Sequence, residues 1–327
     1  MTPLTIWCNA TLKDHATQLL TQSLGEHQLL LSQHHAATVV EATPPDENFY
    51  RAQIIFGQPD PNAIFKTSQL QWIHLSTASY TRYDNLAFKN FLREHNILFT
   101  NSSGVYSEPC AQHVLAMMLS LTRQLPMAYE NQHAAHGWPF HQIRANSHLL
   151  NGQTVLFLGF GAIPTRLVEL LTPLHLKFVA FKRNAIAYSQ VTFTNLENLP
   201  EALRQADHVI NALPDSDATH HFMNTTRFSQ MKKGARFYNI GRGPTVNQEA
   251  LMQALKSNHL NAAFIDVTDP EPLPSDHPLW TTPNLYLTPH TGGGHANEEE
   301  RLVEHFIKNL KAFETHAPLH DSISLSS

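Results

Sequence analysis

Short apolar runs alternate with amphipathic stretches along nearly the whole chain. In the first hundred residues, segments 4–8, 28–31, 52–56, 70–75 and 97–100 are short and rich in branched or aromatic side chains. They read as buried strands, and residues 12–24 read as a helix. Residues 108–133 then carry a long, mostly apolar helical pattern through Val114, Leu115, Met118, Leu119 and Leu121, as expected of a helix buried between layers. The stretch around Pro139 up to Asn151 reads as a loop.

A second series follows, with strands predicted at 154–158, 178–181, 208–213, 236–240, 263–267 and 285–287. Helices are predicted at 165–171, 248–256 and 298–313. Strands separated by helical stretches pair in parallel, because a crossover needs the length of a helix. Two such series in 327 residues suggest two α/β domains, at roughly 100–200 residues per domain.

Composition narrows the function classes. The net charge of −5 excludes an electrostatic grip on nucleic acid as the default, since phosphate binding needs clustered Lys and Arg. Cys8 and Cys110 are the only cysteines, which excludes a disulfide framework and a four-cysteine zinc site. There is no run of 18 apolar residues to span a membrane, and the start of the chain lacks a basic segment followed by a long apolar one. A cytoplasmic protein is expected. The 22 histidines make the charge sensitive to pH near 6 and point to no function by themselves.

The sharpest local motif is Gly159-Phe160-Gly161-Ala162-Ile163-Pro164, directly after a predicted strand and before a helix. That is the setting of a dinucleotide-binding turn. Gly159 permits the tight turn, Gly161 lets the backbone approach a pyrophosphate, and the helix start offers unpaired N–H groups. Pro164 stands where a third glycine is usual, and a plain glycine-rich turn explains the same letters. About 20 residues on, such a turn usually carries an acid for the ribose 2′-OH. Here the strand ends Phe181-Lys182-Arg183-Asn184, with no Asp or Glu from 176 to 190. Lys182 and Arg183 can pair with a 2′-phosphate, which predicts NADP(H) over NAD(H); the alternative is a pair of solvated strand-end charges.

Three segments carry candidate chemistry: Asn239-Ile240-Gly241-Arg242-Gly243-Pro244, Asp266-Val267-Thr268-Asp269-Pro270-Glu271-Pro272-Leu273-Pro274, and Leu287-Thr288-Pro289-His290-Thr291-Gly292-Gly293. Each follows a predicted parallel strand, at the end where ligands of open α/β sheets bind. A planar guanidinium such as that of Arg242 holds a carboxylate bidentately. A protonated imidazole such as that of His290 donates to a developing alkoxide, and a carboxylate such as that of Glu271 beside it favours the imidazolium. Singly, each has a bland explanation: a loop ion pair, a solvated turn, a strand-end histidine. Together, downstream of a dinucleotide turn, they suit reduction of a 2-oxo acid by hydride from a cofactor.

In these segments the chain resembles the D-isomer-specific 2-hydroxyacid dehydrogenases, over nearly its whole length, and most of all the hydroxypyruvate/glyoxylate reductase branch. The resemblance implies two doubly wound parallel-sheet α/β domains, a Rossmann cofactor domain (103–297) inserted in a flavodoxin-like substrate domain (1–102 and 298–327). By resemblance, Arg242 binds substrate, His290 is the general acid/base and Glu271 its partner. Cofactor positions are Gly159, Gly161, Ala162, Ile163, Lys182, Arg183, Leu213, Pro214, Thr219, Ile240, Asp266 and Gly292, with Asp266 on the nicotinamide amide and Thr219 near the phosphates. The substrate loop matches Thr77, Ala78 and Ser79, where the family often has Gly in place of Ser79. Ala111-Gln112-His113 matches the family's interdomain helix, where Glu is commoner than Gln112. A homodimer is implied, with the excursion around Trp138 and Phe140 as a contact arm. The substrate is a small 2-oxo or 2-hydroxy acid.

Other readings carry less. His133, His136 and His141 are spaced for two metal ligands on one helix face but lack a carboxylate or further ligand at a telling spacing. No GxSxG elbow accompanies the serines, so hydrolase chemistry lacks a nucleophile. Tyr80, Tyr83 and Tyr106 are pocket walls or ordinary packing. The alternative from another class is a nucleotide-sensing protein or corepressor that keeps the fold without chemistry.

Overall fold

The computed structural model describes residues 2–34, 43–182 and 187–325. The chain divides into two units, Met1–Tyr106 with Gly294–Ser327, and Ser107–Gly293. In the first, β1 (Thr5–Cys8), β2 (Gln28–Leu31), β3 (Ile54–Gly57), β4 (Trp72–Leu75) and β5 (Leu98–Thr100) form a parallel sheet in the order β2-β1-β3-β4-β5. This is the flavodoxin-like order. β3 and β4 are buried along their whole length, which is why they read as continuous apolar runs rather than alternating ones. Ile6, Cys8, Ile54 and Phe56 face a core shared with the helices Asp14–Ser23 and Glu298–Glu314. Trp7, Ile55 and Ile73 face another, with Phe88 and Leu92. Tyr83 belongs to that second core and donates its hydroxyl to Pro59 O at 2.8 Å, so it is packing.

In the second unit, β6 (Thr154–Leu158), β7 (Lys177–Phe181), β8 (Val191–Thr194), β9 (His208–Asn211), β10 (Arg236–Asn239), β11 (Ala262–Ile265) and β12 (Leu285–Leu287) form a seven-stranded parallel sheet. Its order is β12-β11-β10-β9-β6-β7-β8. Strand order reverses between β6 and β9, the switch point at which a crevice opens beyond the carboxyl ends of the strands. This is the Rossmann arrangement.

Several elements differ from the sequence reading, among them the unforeseen helices Leu86–Glu94, Leu199–Gln205 and Thr225–Gln230. The helix expected over 108–133 is Ser103–Thr122, followed by Leu125–Glu130 and a π-helical turn at Asn131–Ala135. The break falls at Gln124, left-handed at φ 58, just before Leu125-Pro126, where proline supplies no N–H and restricts the residue ahead of it. Leu119 on the first of these helices is 40% exposed rather than buried. The excursion contains a short helix, Phe140–Asn146, and the edge strand β8 was not foreseen because only Val191 of its four residues is fully buried. Among the described residues, no helix is long and apolar enough to cross a membrane and no group of three or more His, Cys, Asp or Glu is arranged to hold a metal.

Two histidines are core residues. His208 Nε2 lies 2.6 Å from Gln153 Oε1 and Nδ1 lies 3.0 Å from the Tyr238 hydroxyl. An amide oxygen only accepts, so the proton sits on Nε2 and Nδ1 accepts from tyrosine. Burial, then the Arg236 charge, pushes His208 down to about 3. In the other unit burial, then His305, holds His74 well below the ordinary histidine range. Both rings stay neutral in the fold. Below the ordinary value of about 6.5 the unfolded chain takes up protons that the folded chain refuses. The contribution of each neutral ring to stability is therefore full above that value and falls as pH drops below it. Denaturant melts at pH 7 and pH 5 should show this loss, and His208→Gln should reduce it. Equal stability of the parent chain at both pH values would contradict the assignment.

Candidate active site

The glycine turn is built as the sequence suggests. Gly159 sits at φ 86 directly after β6, and its amide donates to Phe181 O at 2.9 Å. A β-carbon at Gly159 would lie 2.9 Å from Ala212 O, so the turn packs on the loop after β9 at the switch point. Gly161 is the N-cap of the helix Ala162–Leu171 and has no side-chain cap, so the first-turn amides are left to other partners. A β-carbon at Gly161 would meet nothing within 4 Å, which leaves an open cradle beside those amides. Pro164 is buried in the first helical turn, where a missing N–H costs the helix no bond. This cradle fits a dinucleotide pyrophosphate.

Other positions that the resemblance assigns to the cofactor lie at or beyond the ends of neighbouring strands. Ile240 and Leu213 are buried at the ends of β10 and β9. The Thr219 hydroxyl donates to Pro214 O at 2.6 Å and so closes the loop from 214 to 219 on itself. Lys182, half-buried, directly follows β7; Arg183 lies outside the described residues.

Arg242 is half-buried and extended (φ −144, ψ 148), held by the backbone on either side of it. A β-carbon at Gly243 would run into the Thr268 carbonyl, so only glycine admits this approach of the two loops. The Arg242 carbonyl accepts from the Thr245 hydroxyl at 2.6 Å and from Asn239 Nδ2 at 3.3 Å. Asn211, fully buried at the end of β9, donates to Asn239 Oδ1 at 2.9 Å and to Thr245 Oγ1 at 2.7 Å. A closed polar network of this kind fixes a loop firmly, because any break leaves a buried group unpaired.

Glu271 and His290 meet. Nδ1 of His290 lies 2.9 Å from Glu271 Oε2, while Glu271 Oε1 accepts from the Thr268 amide at 2.9 Å. A carboxylate accepts only, so Nδ1 carries a proton and Nε2 is the nitrogen left to exchange one with a ligand. Thr268 thus touches both the glutamate and the Gly243 approach, joining the Arg242 loop to the Glu271–His290 pair. Asp266 is buried, with its carboxylate turned to the segment 288–292.

Thr77, Ala78 and Ser79 belong to the first unit. The Thr77 hydroxyl donates to Ser79 O at 2.8 Å, and Asn101 Nδ2 donates to Ala78 O at 2.7 Å. Ser79 is not among the residues of positive φ, so serine is accommodated there without the left-handed backbone glycine would allow. Three contributors escaped the sequence reading: Thr268, Asn211 and Thr245. The available signal was Asn211, a polar residue directly after the apolar pair Val209-Ile210 at the end of β9.

Residues 115–292 match the family model described as D-isomer specific 2-hydroxyacid dehydrogenase, NAD binding domain. The chain belongs to this family, and with it to the NAD(P)-dependent oxidoreductases. It is 30% identical over 233 residues to glyoxylate/hydroxypyruvate reductase B of Enterobacter sp. (strain 638), covering 70% of this chain and 71% of that one. A family protein from Aeromonas salmonicida subsp. salmonicida A449 has a similar structure, with a TM-score of 0.75, 26% identity, and coverage of 99% of this chain and 100% of that one. The dehydrogenase from Xanthobacter autotrophicus Py2, solved with NADPH and MES, shares the fold with a TM-score of 0.78 at 21% identity, covering 99% of each chain.

Proposed function

We propose that this protein reduces a small 2-oxo acid, of the glyoxylate or hydroxypyruvate kind, to the D-2-hydroxy acid with NADPH. The observation that carries this is the His290–Glu271 contact of 2.9 Å at the ends of adjacent strands, in a unit that also presents Arg242 and an open glycine cradle. The amides of Ala162 and Ile163 bind the pyrophosphate, with Leu213, Pro214, Thr219, Ile240 and Gly292 around the dinucleotide and Asp266 toward the nicotinamide amide. Lys182 and Arg183 pair with the 2′-phosphate. When bound, the reduced nicotinamide supplies the hydride. Arg242 holds the substrate carboxylate and polarises the adjacent carbonyl. His290 delivers the proton from Nε2 to the forming alkoxide, while Glu271 holds Nδ1–H and steadies the imidazolium. Thr77, Ala78 and Ser79 form the substrate-carboxylate loop, so Met1–Tyr106 with Gly294–Ser327 is the substrate domain and Ser107–Gly293 the cofactor domain.

The names of the Enterobacter relative and of the NADPH-bound Xanthobacter protein support the substrate class and the cofactor. The same reading makes the protein a cytoplasmic homodimer. Trp138 and Phe140, 90% and 48% exposed, are apolar enough to seek a partner surface.

Loss of nicotinamide absorbance with NADPH and glyoxylate or hydroxypyruvate tests this directly. Turnover is expected, with a higher kcat/KM for NADPH than for NADH. Lys182→Ala and Arg183→Ala should each lower that preference about 10–100-fold, the scale of one charge-assisted hydrogen bond. A preference for NADH removes the 2′-phosphate assignment. Tight NADPH binding without turnover of any 2-oxo acid favours a sensor in place of an enzyme.

A further inference from the structure

His290 sits in a backbone conformation that few non-glycine residues adopt, left-handed at φ 53. Such a conformation persists where its surroundings over-determine it. Here the Thr288 amide donates to Ile265 O at 3.1 Å, and the other bonds that reach the segment from β11's end come from one residue, Asp266. Its carbonyl accepts from the His290 amide at 2.8 Å. Its Oδ1 accepts from the Thr291 amide at 2.9 Å and the Thr288 hydroxyl at 2.5 Å, and its Oδ2 accepts from the Gly292 amide at 3.0 Å. Four bonds from one residue to the segment 288–292 set where the His290 ring points, which is onto Glu271. A second lone pair on Oδ2 leaves room for a nicotinamide amide as well.

The clamp has its own support. The Thr288 hydroxyl gives its only proton to Asp266, so toward any other neighbour it accepts. That neighbour is His113, on the helix Ser103–Thr122, with Nε2 at 3.1 Å from Thr288 Oγ1 and 3.9 Å from Asp266 Oδ1. His113 therefore carries a proton on Nε2. Its ring packs against Phe264 of β11 with centroids 5.4 Å apart, which fixes the direction of that N–H.

We propose that His113 is a positioning residue for the reaction: its Nε2–H, acting through the Thr288 hydroxyl, locks the Asp266 carboxylate as the clamp that keeps His290 on Glu271. The chain of contacts is His113 to Thr288 to Asp266 to the backbone of 290–292. The inference rests on His290 as the proton donor of the proposed reduction.

Three variants of the full chain test it. His113→Leu removes the donor, His113→Gln keeps an N–H near the place of Nε2, and Thr288→Val removes the relaying hydroxyl at nearly constant volume. Two quantities are read: kcat for reduction, and the hydrogen-bonded Nδ1–H proton resonance of His290, assigned by its absence in His290→Asn. His113→Leu and Thr288→Val should lose the resonance to solvent exchange. They should also lower kcat about tenfold, the scale of one neutral hydrogen bond, with KM for the 2-oxo acid unchanged. His113→Gln should restore both. Parent-like resonance and kcat in His113→Leu and Thr288→Val overturn the proposal, as does a defect that His113→Gln leaves unrepaired, or a parent chain without the resonance. Should His113→Leu fail to fold, Thr288→Val decides by the same readouts. The resonance needs no turnover, so its loss in the variants of a chain that reduces no 2-oxo acid upholds the clamp and removes only the proposed reaction.

Discussion

His290→Asn should lower the rate of 2-oxo acid reduction by about 10²–10⁴, the usual contribution of a positioned general acid. Asparagine tolerates the left-handed backbone at φ 53 better than most residues, so the segment keeps its course and the variant isolates the loss of the proton. Glu271→Gln should be milder, because the amide oxygen can still accept from Nδ1 but no longer offers a charge to the imidazolium. Steady-state rates of both variants, with chemistry confirmed as the slow step, check both points. A parent-like rate in His290→Asn would remove His290 from the reaction.

Arg242→Gln should lower kcat/KM for the 2-oxo acid by about 10²–10⁴, since two charge-assisted hydrogen bonds to a carboxylate contribute about 1.5–3 kcal/mol each. Arg242→Lys should recover only part, because an ammonium keeps the charge and loses the planar fork. NADPH binding, read by nicotinamide fluorescence, should be unchanged in both. The specificity of this outcome comes from the loop: Asn239, Thr245 and the Gly243 approach hold the Arg242 backbone whatever its side chain. Equal losses in NADPH affinity and in kcat/KM would show that the loop had collapsed, and would leave Arg242 without a separate part in substrate binding.

Much of the candidate site was legible because its residues are written in short local phrases. The glycine turn lies in six consecutive residues, and its φ of 86 at Gly159 is a demand that only local chemistry has to meet. The same holds for Arg242, between two glycines, and for His290, just beyond a short strand. The helix boundary at Gln124 was missed because the apolar pattern runs on past it while a downstream proline stops the hydrogen bonding. β8 was missed because an edge strand, half-exposed, leaves a weak periodic signal.

The amino-acid sequence by itself determined the two α/β series, the dinucleotide turn and the residue types at the strand ends, since periodicity and backbone freedom are properties of neighbours along the chain. Only the tertiary structure decided that Glu271 reaches His290, that Asn211 supports the Arg242 loop from a different strand, and that His113 stands behind Asp266. Those are contacts between segments 19, 28 and 175 residues apart for the Glu271–His290, Asn211–Asn239 and His113–Thr288 pairs. Parallel pairing brings such distant strand ends side by side, and hydrogen bonds of fixed length then select which side chains meet.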